Sequence, residues 1–177
     1  MYKRQTYTIN INRQAASVNN AGGNNNQNNN NQNNTDVNIT SGKYSIGTYI
    51  TGIEPGTGAA DFVKNIAVSA SGTVKLLTSS GSENSGKIAT GNKVAVYDAS
   101  GNLKKTYDIV IYGDINGDGA VNALDMIKLN RHILGKGTLT GAYLEAADAN
   151  RKRDGGNALD MIIMNRHILG KSKISQN

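Results

Sequence analysis

The stretch Asp114–Asp125, DINGDGAVNALD, decides how the rest of the chain is read. Acidic and amide side chains alternate, a glycine follows, and an acid closes the run. Asp114, Asn116 and Asp118 stand at positions 1, 3 and 5 of a twelve-residue loop, so every second side chain faces one centre. Gly119 permits the sharp turn that brings the Ala120 carbonyl round as a further oxygen donor. Asn122 suits a donor acting through water, and Asp125 can close the shell with both oxygens from the first turn of a helix. A flexible cage made only of oxygens selects Ca²⁺ over zinc, copper or Mg²⁺. Three carboxylates in one loop repel, by several kcal/mol for charges about 4 Å apart at an effective dielectric near 20. The loop is therefore expected to loosen without a cation. An acidic surface turn with no metal is the plainer alternative, and it gives no reason for so many loop positions to agree.

The end of this stretch recurs. Asn122–Lys136 reads NALDMIKLNRHILGK and Asn157–Lys171 reads NALDMIIMNRHILGK, differing only at Lys128/Ile163 and Leu129/Met164. This is a duplicated unit in which a loop feeds a helix that stops at Gly135 or Gly170. Turning each residue by about 100° places Met126, Leu129 and Ile133 on one face, where they should pack on Met161, Met164 and Ile168. The opposite face carries Leu124, Ile127 and Arg131, matched by Leu159, Ile162, Ile163 and Arg166. A domain of about sixty residues cannot bury both faces of both helices, so the outer stripe predicts a protein partner. Its alternative is packing on the upstream module. His132 and His167 lack a second ligand at helical spacing and read as solvated flank residues rather than zinc ligands. Thr140–Ala147 reads as a linking helix with Thr140 as N-cap and Tyr143, Leu144 and Ala147 inward. The second loop, Asp148–Asp160, is one residue longer than the first. Asp148, Asn150, Asp154 and Asp160 converge there if Arg151–Arg153 bulges outward, and three cations beside the site should weaken Ca²⁺ binding.

The chain has 177 residues, no cysteine and a formal net charge of +6. Without disulfides, bound metal is the available staple for small domains. The basic residues are scattered and no aromatic side chains interleave with them, which argues against nucleic acid as a partner. No apolar run reaches the roughly 20 residues needed to span a bilayer. The beginning, MYKRQTYTINI, has no apolar signal core, so the chain reads as either intracellular or the tail of a longer secreted protein.

Residues 1–16 read as one strand by their alternation, and the Asn-rich run 17–35, with nothing to bury, reads as a tether. Residues 36–112 read as a compact, mostly β module. Its expected elements are paired strands within Tyr44–Ile53, a Glu54–Thr57 turn, a helix over Ala59–Ile66, and strands at Thr73–Leu77, Lys93–Tyr97 and Lys105–Tyr112, the last two joined by a hairpin at Ala99–Asn102. In the final strand Tyr107, Ile109 and Ile111 take one face and Val110 and Tyr112 the other. Tyr44, Tyr49, Tyr97, Tyr107 and Tyr112 could line a sugar-binding surface, although such tyrosines more often pack.

The doubled unit with GDINGDG and RHILG, about Gly113–Lys173, resembles the type I dockerins, calcium-loaded modules that plug enzymes and adhesins into cohesins. The resemblance implies an all-α domain of two Ca-loop-helix (F-hand) repeats. It implies two Ca²⁺ sites, one at Asp114, Asn116, Asp118, Ala120, Asn122 and Asp125 and one at Asp148, Asn150, Asp154 and Asp160. The family's cohesin-contacting positions fall on Ala123, Leu124, Asn130 and Arg131 and on Ala158, Leu159, Asn165 and Arg166, and they overlap the stripe that carries Ile127 and Ile162. Matching pairs in both copies imply docking in either of two orientations. The segment with YITGIEPGT and IATGNKVAVYD is similar to the small β module, or X-like module, ahead of dockerins in clostridial and gut-bacterial surface proteins. TYTININRQAAS resembles the closing strand of a cadherin-like β-sandwich.

The expectation is thus a multi-domain chain: a truncated upstream strand, a linker, a small mostly-β (α+β) module at 36–112, a dockerin at 113–173 and a tail at 174–177. It should be non-catalytic, monomeric when free, and bind a cohesin of a scaffoldin or cell-surface protein, attaching a larger secreted enzyme or adhesin to a cellulosome-like complex for polysaccharide degradation. Neither nucleic acid nor membrane is an expected partner. A carbohydrate-binding module at 36–112 is the alternative. A calcium sensor is disfavoured because the methionines lie on the expected inner face.

Overall fold

The computed structural model describes residues 37–69 and 71–177. The expected strand at 1–16 and tether at 17–35 lie outside them. The described chain is β-rich in its first part and helical towards its end. In order it forms β1 (Ile39–Thr40), β2 (Ser45–Ile46), β3 (Tyr49–Thr51), α1 (Ala59–Val63), β4 (Ala67–Val68), β5 (Thr73–Leu77), β6 (Lys93–Tyr97), β7 (Leu103–Ile109), α2 (Ala123–Ile133), α3 (Gly141–Ala147) and α4 (Ala158–Ile168).

A five-stranded sheet runs β2-β3-β7-β6-β5, and β1 pairs with β4 beside it. Strands β5 and β6 fall where the sequence places them and pair antiparallel in full register from Thr73 opposite Tyr97 to Leu77 opposite Lys93. The expected Ala99–Asn102 hairpin closes on Asp98, whose carboxylate accepts the N–H groups of Ser100 and Asn102. Strand β7 starts two residues earlier than Lys105 and stops at Ile109, opposite Ile50 of β3, where the Val110 N–H donates to the Ile50 carbonyl at 3.0 Å as the last bond of that pairing. The pairing of β3 with β7 is parallel. Pro55 and Gly56 make the expected turn, closed by Thr57 N–H on the Glu54 carbonyl, with Gly56 at φ +86°.

Two cores result. Ile50, Ile53, Phe62, Ile88, Val94, Val96, Tyr107, Ile109 and Ile111 fill the first, under the sheet. Val110, Tyr112, Ile115, Leu129, Ala146, Ala147 and Met164 fill the second, between the helices. The alternation through 107–112 therefore feeds one core from each face, as its pattern suggested. Tyr44, Tyr107 and Tyr112 are buried, so these side chains cannot present a sugar-binding face.

Several expectations need correcting. Residues 174–177 are not a loose tail: Ile174 and Gln176 are buried, and the Gln176 amide bonds both the N–H and the C=O of Tyr112, at 2.8 and 3.0 Å. In α3 the inward residues are Ala142, Ala146 and Ala147, whereas Tyr143 and Leu144 are only half-buried. Thr140 occupies the N-cap position of α3 without a side-chain capping bond. On the inner seam Leu129 and Met164 are fully buried, but Ile133 and Ile168, one turn further along, are exposed; Ile163, expected outside, packs on the second core instead. Among the described residues no helix is long and apolar enough to cross a membrane.

Candidate metal loops and exposed helix faces

Both loops end in the same helix start. Asn122 accepts the Leu124 N–H while Asp125 Oδ2 accepts the Asn122 N–H, and Asn157, Leu159 and Asp160 repeat the arrangement. This reciprocal capping is the reason an Asn and an Asp must stand three apart at each helix start. Each closing acid also reaches back across its loop. Asp125 Oδ1 accepts the N–H groups of Ile115 and Asn116, both at 2.8 Å, and Asp160 Oδ1 accepts that of Asn150 at 2.9 Å.

Asp114 opens the first loop from a fully buried position. Its Oδ1 accepts Gly117 and Asp118 N–H, and its Oδ2 accepts Gly119 and Thr90 N–H. Burial pushes its pKa up to about 6 despite these bonds, and it raises Asp125 as well. A cation between them would remove that penalty. Asp118 turns one oxygen to the Ala120 N–H and the other to the Asn116 amide.

The second loop differs from its expectation in an informative way. Asp148 accepts Lys152 and Arg153 N–H on its two oxygens, as Asp114 does those of Asp118 and Gly119. Asn150 accepts Lys152 N–H as Asn116 accepts that of Asp118. Hence Arg151–Arg153 does not bulge out; it tracks the first loop residue for residue, and the extra residue falls after it, within Asp154–Gly156. Arg151 and Arg153 occupy the places of Gly117 and Gly119 and share their left-handed backbone, at φ +58° and +60°. Lys152 stands where the first loop has Asp118. The missing carboxylate is supplied by Asp154: ligand atoms of Asp148, Asp154 and Asp160 lie within 4.8 Å of one another. Among the described residues that is the one close carboxylate trio, and it sits in the loop that reads as the weaker site in sequence. Burial raises the pKa of Asp160, with Asp148 and Asp154 adding to the effect. An all-oxygen set of this kind fits a hard cation such as Ca²⁺.

The residues expected to meet a partner are exposed in both copies. Leu124, Ile127, Leu159 and Ile162 are 58, 56, 61 and 56% exposed, and Ala123, Asn130, Arg131, Ala158, Asn165 and Arg166 lie on the surface with them. Leu134 and Leu169, at 56 and 57% exposed, extend the apolar surface at each helix end and were missed in the sequence, although the shared RHILG run contains them. The histidines are not solvated flanks. His132 Nδ1 accepts the Leu139 N–H and His167 Nδ1 the Ile174 N–H, so each fastens the segment seven residues on.

No curated protein and no solved structure matches the chain. Across 112–169, the span that holds both loops and all three C-terminal helices, the chain matches the family model of the dockerin type I domain.

Proposed function

We propose that residues 113–173 form a Ca²⁺-dependent dockerin of two loop-helix repeats, which binds a cohesin of a scaffoldin or cell-surface protein. Dockerin domains bind calcium and engage cohesins in general, and one observation carries the reading to these residues. Two equivalent apolar rows, Leu124 with Ile127 and Leu159 with Ile162, are exposed on helices whose first turns are built into the two oxygen-rich loops. Asp114, Asn116, Asp118, Ala120, Asn122 and Asp125 would hold one ion, and Asp148, Asn150, Asp154 and Asp160 the other. Bound ions would supply the positive charge that lets each loop close, and the closed loops would hold the helices with their rows outward.

On this reading residues 36–112 are a β-rich companion module and the chain does no chemistry itself. It serves as the attachment end of a larger secreted protein in an extracellular, cell-surface complex. Calorimetry with Ca²⁺ and then with candidate cohesins tests it directly. Full helicity in excess chelator, with no gain when Ca²⁺ is restored, would refute calcium dependence. Replacing Leu124 and Arg131 by Ala should leave cohesin binding nearly intact, and replacing them together with Leu159 and Arg166 should abolish it. Complete loss from the first variant would refute docking in two orientations.

A further inference from the structure

Among the described residues the first loop is walled by the β part of the chain, on the side where Arg151 and Arg153 of the second loop are exposed. Thr90 donates its N–H to Asp114 Oδ2 at 2.8 Å, between groups that are both buried. Gly56 donates its N–H to the Gly119 carbonyl at 2.9 Å. Gly119 passes so close to the Ile88 carbonyl that a Cβ would sit 2.5 Å from its oxygen, and a Cβ on Gly117 would sit 2.9 Å from the Thr90 carbonyl oxygen. Gly91 is covered by the Tyr143 hydroxyl from α3.

Thr90 is itself fastened to the strand that leads into the loop. Its hydroxyl donates to the Ile111 carbonyl and accepts the Ile111 N–H, at 3.2 and 3.1 Å. Gly91 N–H bonds the Ile109 carbonyl, and Ile109 N–H bonds that of Asn92. Segment 88–92 is thus zipped to 109–114 by side-chain and backbone bonds that end on the opening carboxylate of the loop. Holding Oδ2 against Thr90 keeps Oδ1 among the loop's own N–H groups, so the carboxylate cannot swing out.

We propose that Thr90 is a positioning residue for the first loop, and that ion binding in that loop and folding of the 37–111 module are one coupled equilibrium. This rests on the calcium reading above. Coupling of this kind is reciprocal: whatever the module contributes to the affinity of the loop, the ion returns to the stability of the module. The ligands proposed for the first loop all lie within 114–125, so the effect passes through the placement of Asp114.

Hydrogen exchange of the full chain, with Ca²⁺ alone as the probe, tests this. At a concentration of 100 Kd, amides that exchange through unfolding of the coupled unit should slow by about a hundredfold. The slowing should include Val94, Val96 and Ile109 of the sheet as well as the amides of α2. Asp114→Asn should remove the Ca²⁺ response of the sheet while α4 still gains protection. Thr90→Val should weaken Ca²⁺ binding read at α2 about tenfold and leave that read at α4 unchanged, and Thr90→Ser should restore it. Sheet amides that are unchanged or less protected by Ca²⁺ while α2 responds would overturn the coupling, and wild-type affinity at α2 in a folded Thr90→Val chain would overturn the positioning role of the Thr90 hydroxyl, since valine keeps the N–H that Asp114 accepts. If neither α2 nor α4 responds to Ca²⁺, the calcium reading fails and the coupling with it. Should Thr90→Val not fold, the wild-type sheet response and Asp114→Asn still decide.

Discussion

Replacing Leu129 by Ala probes the seam between α2 and α4, and the structure sets how large the effect should be. Leu129 is fully buried in the second core beside Met164, Ala146 and Ala147. Removing its three outer carbons loses about 2.5 kcal/mol of transfer free energy at about 0.8 kcal/mol for each buried group. A cavity term adds to this when neighbours cannot collapse. Its neighbours are poorly able to: a Cβ on Gly156 would stand 2.7 Å from Leu129 Cδ1 and 2.7 Å from Ala147 Cβ, so the facing surface is backbone and short side chains. The expected loss is about 3 to 4 kcal/mol, which lowers Tm by roughly 6 to 16 °C for a cooperative unit of this size. Leu124→Ala on the same helix, at a residue 58% exposed, should change stability by no more than about 0.5 kcal/mol. Gly156→Ala should cost about 1 to 3 kcal/mol by overpacking. The double variant should cost at least about 1 kcal/mol less than the sum, since the new methyl group enters the space Leu129 leaves. Urea titrations followed by circular dichroism in saturating Ca²⁺ give all four values. Equal losses from Leu129→Ala and Leu124→Ala, or strict additivity of Leu129→Ala with Gly156→Ala, would refute this account of the seam.

Acid should stabilise the metal-free protein. The folded pKa of Asp114, about 6, lies above its usual 3.8, so the folded state holds the proton more tightly and stability is lost as pH rises from about 4 through 6. The Asp114 contribution is on the order of 3 kcal/mol, and Asp125 and Asp160 act in the same direction. In EDTA the urea midpoint should be higher at pH 4.5 than at 7.5, and an equal or lower one would contradict the burial of these acids. With Ca²⁺ the order should reverse, because protons compete for the same oxygens. Arg153→Gly places glycine at a φ of +60° and should raise Tm in Ca²⁺, relieving about 1 kcal/mol of strain; a lower Tm would argue against the left-handed backbone. Gln176→Ala strands the N–H and C=O of Tyr112 in a buried site and should cost about 2 to 3 kcal/mol in chemical denaturation, whereas a loss under about 0.5 kcal/mol would place residue 176 outside the fold.

Local chemistry made much of this architecture readable. The strands β5 and β6 were placed to the residue, and the duplicated run with its terminal glycines located α2 and α4, because the signals sit within a few residues of the feature they specify. The features missed depend on distant partners. Nothing local to Ile39 or Ala67 announces that two-residue strands pair there, and the parallel match of β3 to β7 joins segments far apart in the chain. Gln176 and Ile174 look like a polar tail until Tyr112 and the second core are placed beside them. Helical rotation alone set Ile133 and Ile168 inside, since it fixes a face but says nothing of how far along the helix that face is covered. His132 and His167 lacked metal-ligand spacing, and their acceptor role depended on a bend that no spacing rule describes.

The position of the inserted residue in the second loop explains why the two halves differ although their helices barely do. A loop of this kind depends on backbone N–H groups converging on its first carboxylate, and that convergence requires left-handed residues at fixed places. The second loop keeps the convergence, with Lys152 and Arg153 N–H on Asp148, and accepts arginine in two places where the first loop has glycine. It then takes its remaining carboxylate from Asp154, after the turn, where the extra residue gives the chain enough length to bring it back. The first loop keeps glycine at both places, and at Gly117 and Gly119 it needs it twice over, for φ and for the close approach of the β module. Left-handed arginines fit the second loop because that side is open to solvent; Arg151 lays its guanidinium over the Tyr112 ring at 5.5 Å, and Arg153 is exposed. Side chains of that size at 117 or 119 would meet the Thr90 and Ile88 carbonyls. The duplicated unit has therefore diverged where its surroundings differ, with one loop shaped against the sheet and the other free to carry charge at its tip.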